Sequence, residues 1–258
     1  MQSIPPDEQP SPLPESYDAY AAIRNPNFRR FLTGNILSIL AMQMQSATVV
    51  WEIYKRTGRP FDVGLVGLVQ VIPVLSLALL AGHVADRLDR KWILMTAIAL
   101  GGLASLGLAA VSIFEWPIAA MFGCLFLIGV ARAFQQPAKS SLVPQLVPRA
   151  IFQNAVTWNL GGFQLAAVAG PALGGWMLAW FGHPYYAYLV QAATAVTFIL
   201  LLAGVHRYVT HVATESATLN SLAEGINFVW HNKVILGAMA LDMFAVLLGG
   251  AVALFPAF

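Results

Sequence analysis

The chain carries little charge for its size. Asp, Glu, Lys and Arg make up 10% of its 258 residues, where a soluble domain holds about a quarter. From Ala150 to His206 there is no Asp, Glu, Lys or Arg at all. So few charges cannot clothe a water-soluble fold of this size, and a net charge of +2 is too small to point to nucleic acid. Cysteine is as scarce. Cys124 stands alone, which excludes a disulfide framework and a thiolate metal cluster and leaves it as a helix-packing residue. The histidines, at positions 83, 183, 206, 211 and 231, are scattered, and His83 reads as an interfacial side chain. There is no HExxH pair, no phosphate-binding glycine loop and no GxSxG elbow. These absences argue against an enzyme and imply neither a cofactor nor a metal.

The first 22 residues lack any basic side chain while holding five prolines and four carboxylates. A signal peptide needs a basic start and an apolar middle, so residues 1–22 read as a disordered cytosolic tail.

What the chain has in excess is apolar length. Hydrophobic residues make up 58%, the mean hydropathy is +0.69, and about 20 apolar residues suffice to cross a bilayer as a helix. Six spans are expected: from about Phe31 to Tyr54, Asp62 to Ala85, Trp92 to Phe114, Pro117 to Gln136, Ala155 to Phe181 and Tyr185 to Val205. The turn Phe181–Pro184 divides the long uncharged stretch, because proline disfavours helix in the residue before it. The expected fold is an all-α membrane protein, with a six-helix transmembrane bundle over 23–205, a linker over 206–233, and a seventh helix over 234–258. In the linker, Leu222, Ile226 and Val229 recur opposite Asn220, Glu224 and Asn227, the pattern of an amphipathic helix lying on a membrane surface. Membrane lipid is the first partner implied.

Loop charges set an orientation. With the N-terminus inside, the inner side holds ten cations (Arg24, Arg29, Arg30, Arg87, Arg90, Lys91, Lys139, Arg149, Arg207 and Lys233), and the outer side three (Lys55, Arg56 and Arg59). That asymmetry follows the positive-inside tendency. Arg132 lies near the inner end of span four, close enough to snorkel to the headgroups.

Between spans two and three lies Gly82–Lys91, GHVADRLDRK, with three cations and two carboxylates. Asp86 can pair with a cation or cap a helix N-terminus of a neighbouring bundle. Arg87, Arg90 and Lys91 follow closely enough to form a partly buried charge network. Such pairs add little where exposed but are costly to break where desolvated, which suits a latch.

Polar residues inside spans are candidates for a transport path, because burying them in lipid is costly. In span one, Asn35, Ser38, Gln45 and Glu52 fall within an arc of about 100°, a stripe facing away from lipid and expected to line a cavity. Interhelical hydrogen bonding is the alternative for these residues. Gln43 points elsewhere and is the weaker candidate. Asp242 would lie roughly 13 Å into span seven at 1.5 Å per residue, where desolvation favours its neutral form and proton exchange. It is the leading proton-site candidate, with Glu52 second. In span five, Gly161, Gly162, Gly170, Gly174 and Gly175 permit close helix approach, and Pro171 removes a backbone donor and kinks the helix.

Gly82-x-x-x-Asp86-Arg87-x-x-Arg90-Lys91 between spans two and three resembles the signature loop of the major facilitator superfamily. Gly170-Pro171-Ala172-Leu173-Gly174-Gly175 in span five resembles the GPxxGG element of that superfamily's proton-driven exporters. Thr57-Gly58, Val63–Pro73 and Ala131–Pro148 are similar to the branch holding the enterobactin exporter and its multidrug-efflux relatives. The loop's usual second glycine is Asp89 here, and the RxxxG arginine pattern of span four is absent.

The resemblance implies the N-terminal bundle of the major facilitator fold and an exporter working by alternating access, in which a proton moves inward as a small amphipathic drug or siderophore leaves. It implies that Asp86 and Arg90 lock the inner gate, that span five faces a partner half, and that Arg132, as the span-four arginine, serves the substrate cavity with Asn35, Ser38 and Gln45. The implied home is the bacterial inner membrane. Twelve spans need on the order of 400 residues in two six-helix halves, so the chain is expected to be a fragment whose C-terminal half is missing. A non-transporting membrane scaffold, or an inactive truncated copy, is the alternative.

Overall fold

The computed structural model describes residues 18–205, 232, 236–241 and 244, apart from the side chains of residues 79, 83 and 85–87. Six of its helices are long and apolar enough to cross a membrane. A short turn, α1 (Ala21–Arg24), leads into α2 (Pro26–Thr57), followed by α3 (Pro60–Arg87), α4 (Arg90–Ile113), α5 (Ile118–Leu142), α6 (Phe152–Phe181) and α7 (Tyr185–Ala203), with two short 3-10 turns between α5 and α6. The chain is a multi-pass, all-helical membrane protein among its described residues.

Local chemistry sets the helix ends. Asn25 accepts from the backbone N–H groups of Asn27 and Phe28 at 3.0 and 3.4 Å, with Pro26 in the first turn of α2. Asp89 does the same for α4, accepting from Lys91 N at 2.8 Å. Gly58 and Gly182 close α2 and α6 at φ 64° and 71°, a left-handed conformation that glycine adopts without strain.

Neighbours in sequence are mostly not neighbours in space. α2 packs chiefly against α6 and α7, α4 against α5 and α7, and α3 against α5. Two apolar clusters hold the ends of the bundle. One gathers Phe28, Phe31, Leu94, Leu142, Phe198 and Leu202; the other gathers Val49, Ile53, Leu108, Met121, Leu125 and Tyr188. Between them lies a polar middle layer. The outer faces of α3 and α6 expose Leu68, Leu75, Leu165, Val168 and Trp176, an arrangement that only lipid or another apolar surface accommodates.

Three expectations need correcting. Span four does not end near Gln136. Helix α5 runs through Pro137 to Leu142, because Ala138 and Leu142 are fully buried in the first apolar cluster. Arg132 is therefore ten residues from the helix end, and Lys139 is a part-buried residue of the helix rather than a loop cation. Nor does the tail extend to residue 22. Asn154 Oδ1 accepts from Ala22 N at 3.2 Å, its Nδ2 donates to Ala19 O at 2.7 Å, and Trp158 Nε1 donates to Ala19 O at 2.8 Å. Residues 18–22 are thereby fastened to the start of α6. Residues 236–241 are helical where a seventh span is expected. Asp242 and the expected amphipathic segment of the linker lie outside the described residues.

Candidate functional site

The stripe on α2 turns into the bundle: Asn35, Ser38, Gln45 and Glu52 are all buried. They do not share one environment. Asn35 Nδ2 donates to Asn159 Oδ1 on α6 at 2.9 Å, so this residue serves a helix–helix contact. Ser38 and Gln45 meet Arg132, Gln135, Lys139, Ser105 and Gln191 around a small, partly open chamber of about 30 Å³ in the polar middle layer. Arg132 is thus not snorkelling outward; it is brought together with two of the residues grouped with it on sequence grounds.

Glu52 belongs to a third environment. Arg56 Nη2 pairs with Glu52 Oε1 at 2.5 Å, and the Tyr188 hydroxyl donates to Glu52 Oε2 at 2.6 Å. Arg56 also donates to the carbonyl of Ser112 in the last turn of α4 at 3.4 Å and to that of Trp116 just beyond it at 3.2 Å. A guanidinium at a helix C-terminus complements the exposed carbonyl dipoles. Glu52 is a paired carboxylate inside the bundle rather than a free wall of a cavity.

The larger opening lies on the other side of α2. A cavity of about 580 Å³ is walled by Gln43, Ser46, Ala47, Thr48, Val50, Trp51 and Tyr54 of α2, Pro60 and Val63 of α3, and Pro171, Gly174, Gly175 and Leu178 of α6. Its lining is mostly apolar, with no charged residue. Gln43, set aside on angular grounds, is one of its polar groups, while Asn35, Ser38, Gln45 and Arg132 are absent from it. Sequence reasoning missed this wall because two polar arcs run along α2, and α6 decides which one stays open. A usable signal was present in Trp51 and Tyr54, within the last two turns of the helix.

The glycines of α6 divide the work. A Cβ on Gly174 would stand 2.9 Å from Met44 O, and one on Gly162 would stand 2.5 Å from Ile36. Gly170 is equally close to Gln43. Together with Ala166, these residues let α6 lie directly against α2. Gly175 and Gly161 face open space, and Pro171 and Gly175 border the cavity.

In the charged loop, Lys91 Nζ donates to the carbonyls of Ala203 and Val205, both at 3.0 Å, and Arg30 donates to Gly204 O. Lys91 is therefore committed to the C-terminus of α7. Arg90 opens α4, and a Cβ on Gly82 would meet open space. The side chains of Asp86 and Arg87 lie outside the described ones.

A family profile described as transmembrane secretion effector matches residues 17–257. The chain is 27% identical over 227 residues to the multidrug efflux pump Tap of Mycobacterium bovis, covering 80% of this chain and 52% of that protein. It is 24% identical over 189 residues to the staphyloferrin A transporter of Staphylococcus aureus, covering 72% and 47%. It is 26% identical over 182 residues to the enterobactin exporter EntS of Salmonella choleraesuis, covering 69% and 43%. The chain spans about half the length of these curated relatives.

Proposed function

The chain belongs to the transmembrane secretion effector family of the major facilitator superfamily, and from this premise we propose that it supplies the first bundle of a proton-coupled exporter of small amphipathic molecules. The observation that carries this reading is the uncharged cavity of about 580 Å³ between α2 and α6. Cavities of several hundred Å³ suit drug-sized ligands, with apolar walls for affinity and a few polar groups for orientation. Here Trp51 and Tyr54 offer aromatic faces, and Gln43, Ser46 and Thr48 offer the polar contacts. With no charge on the wall, the favoured cargo is neutral or weakly charged. The relatives' names, a multidrug efflux pump, a staphyloferrin A transporter and an enterobactin exporter, agree with a small-molecule cargo.

In this reading the N-terminus faces the cytoplasm of a bacterial inner membrane, as the loop charges favour. The exposed faces of α3 and α6 receive a second bundle. The loop after α3 is the gate. Lys91 is engaged within its own bundle; the lock between bundles is assigned to Asp86, Arg87 and Arg90, and the space beside Gly82 admits the partner helix. Pro171 and Gly175 bend and open α6 beside the cargo. Asp242 is the proposed proton-exchanging carboxylate. Glu52 is second. Ser38, Gln45 and Arg132 support the cavity from behind α2 rather than from its wall, and Asn35 holds α6 in place.

The test is proton-driven efflux of an amphipathic dye from vesicles containing the protein as the cell makes it. Dye-dependent proton movement is expected, with Trp51→Ala reducing it several-fold and leaving membrane insertion unchanged. A non-transporting scaffold would give no such flux, and that result would end the proposal.

A further inference from the structure

The small chamber between α2, α4, α5 and α7 has a charge that no described residue lining it balances. Arg132 and Lys139, two turns apart on one face of α5, both line it. Neither makes a hydrogen bond or an ion pair with any described residue. Arg132 Nε is buried with no acceptor, and Lys139 Nζ lies over the ring of Phe198, 5.8 Å from its centroid. No Asp or Glu is among the lining residues. Glu52, the buried carboxylate of α2, is already held by Arg56 and Tyr188. Unpaired cations inside a membrane-embedded bundle are strongly disfavoured and call for a counter-charge.

We propose that this chamber binds one small monovalent anion of halide size. Its volume of about 30 Å³ exceeds the roughly 10–15 Å³ a cavity needs to hold one water, which admits a chloride or bromide ion and nothing the size of a cargo molecule. The remaining wall groups suit an anion. Gln45 Oε1 and Gln191 Oε1 are buried without donors. Rotating each amide exchanges its oxygen for its NH2, so two unsatisfied acceptors become two donors aimed at the ion. The chamber shares no lining residue with the wide cavity, so this site is separate from the proposed cargo site. An anion here would join α5 to α2 and α7 as a structural counter-ion.

The experiment compares thermal unfolding of the purified protein in sodium chloride, bromide and gluconate at equal ionic strength. Halide is expected to raise the midpoint by roughly 2–4 °C over gluconate and to saturate. Arg132→Gln and Lys139→Met are each expected to abolish this increment, while Arg149→Gln at the exposed surface keeps it. Equal midpoints in halide and gluconate would overturn the proposal, as would an increment that survives in both chamber variants. Should neither variant fold, crystals of the unmodified protein grown in bromide decide the matter by anomalous scattering. A peak beside Arg132 Nε is expected, and its absence at saturating bromide refutes the site.

Discussion

The Tyr188 hydroxyl of α7 donates to Glu52 Oε2 of α2 at 2.6 Å, in the interior of the bundle. With Arg56 on the other carboxylate oxygen, it ties α2 to α7, and through the Arg56 contacts to the end of α4. Tyr188→Phe removes one donor and leaves a buried carboxylate half-satisfied, a loss of about 1–3 kcal/mol. The midpoint of thermal unfolding in detergent is expected to fall accordingly. An unchanged midpoint would mean that this hydroxyl contributes nothing to the joint.

Adjacent glycines in α6 should respond in opposite directions. Gly174→Ala places a methyl 2.9 Å from Met44 O and forces the two helices apart, at an overpacking cost of about 1–3 kcal/mol. Gly175→Ala meets nothing within 4 Å, so it gains helix propensity worth about 0.5–1 kcal/mol. Unfolding midpoints of the two variants, measured side by side, are expected to straddle that of the parent.

Much of this architecture was legible in the residues. Long charge-free runs punctuated by Gly58, Gly182 and Asp89 mark the spans and their turns, because lipid permits no unsatisfied backbone between them. The inward turn of Asn35, Ser38, Gln45 and Glu52 followed from helical period alone. What escaped was non-local. Gln135-Gln136-Pro137 resembles a helix end, yet α5 continues because Leu142 is needed in a cluster drawn from other helices. That continuation carries Lys139 inside and sets it beside Arg132. The choice of Gln43 over Gln45 as a cavity residue depends on where α6 lands, which no pattern within α2 encodes.

Two changes in the charged loop are expected to separate stability from transport. Lys91→Met releases the carbonyls of Ala203 and Val205 and should cost about 0.3–1 kcal/mol, read as a lower unfolding midpoint. Asp86→Asn, by the proposed gating role, should abolish most dye efflux while membrane insertion stays at the parent level. Normal efflux by that variant would remove the latch from the mechanism.

Asn154→Ala cuts the bonds from Ala22 N and to Ala19 O and leaves Trp158 as the remaining tie at Ala19. Limited proteolysis should then cleave at Arg24 at least several-fold faster than in the parent, with the six spans still protected. Equal cleavage rates would show that the segment is held by other contacts.

The order of contacts along the chain dictates a timetable for biogenesis. Helix α2 finds its principal neighbours only in α6 and α7, and α3 finds its own only in α5. While the ribosome is still making α4, both early helices must already dwell in the bilayer without their principal protein neighbours, held by lipid and a slight contact with each other. The buried carboxylate of Glu52 then enters that bilayer more than a hundred residues before Tyr188 is synthesised, accompanied only by the Arg56 one turn away. That arginine is the chaperone of its own helix during the interval.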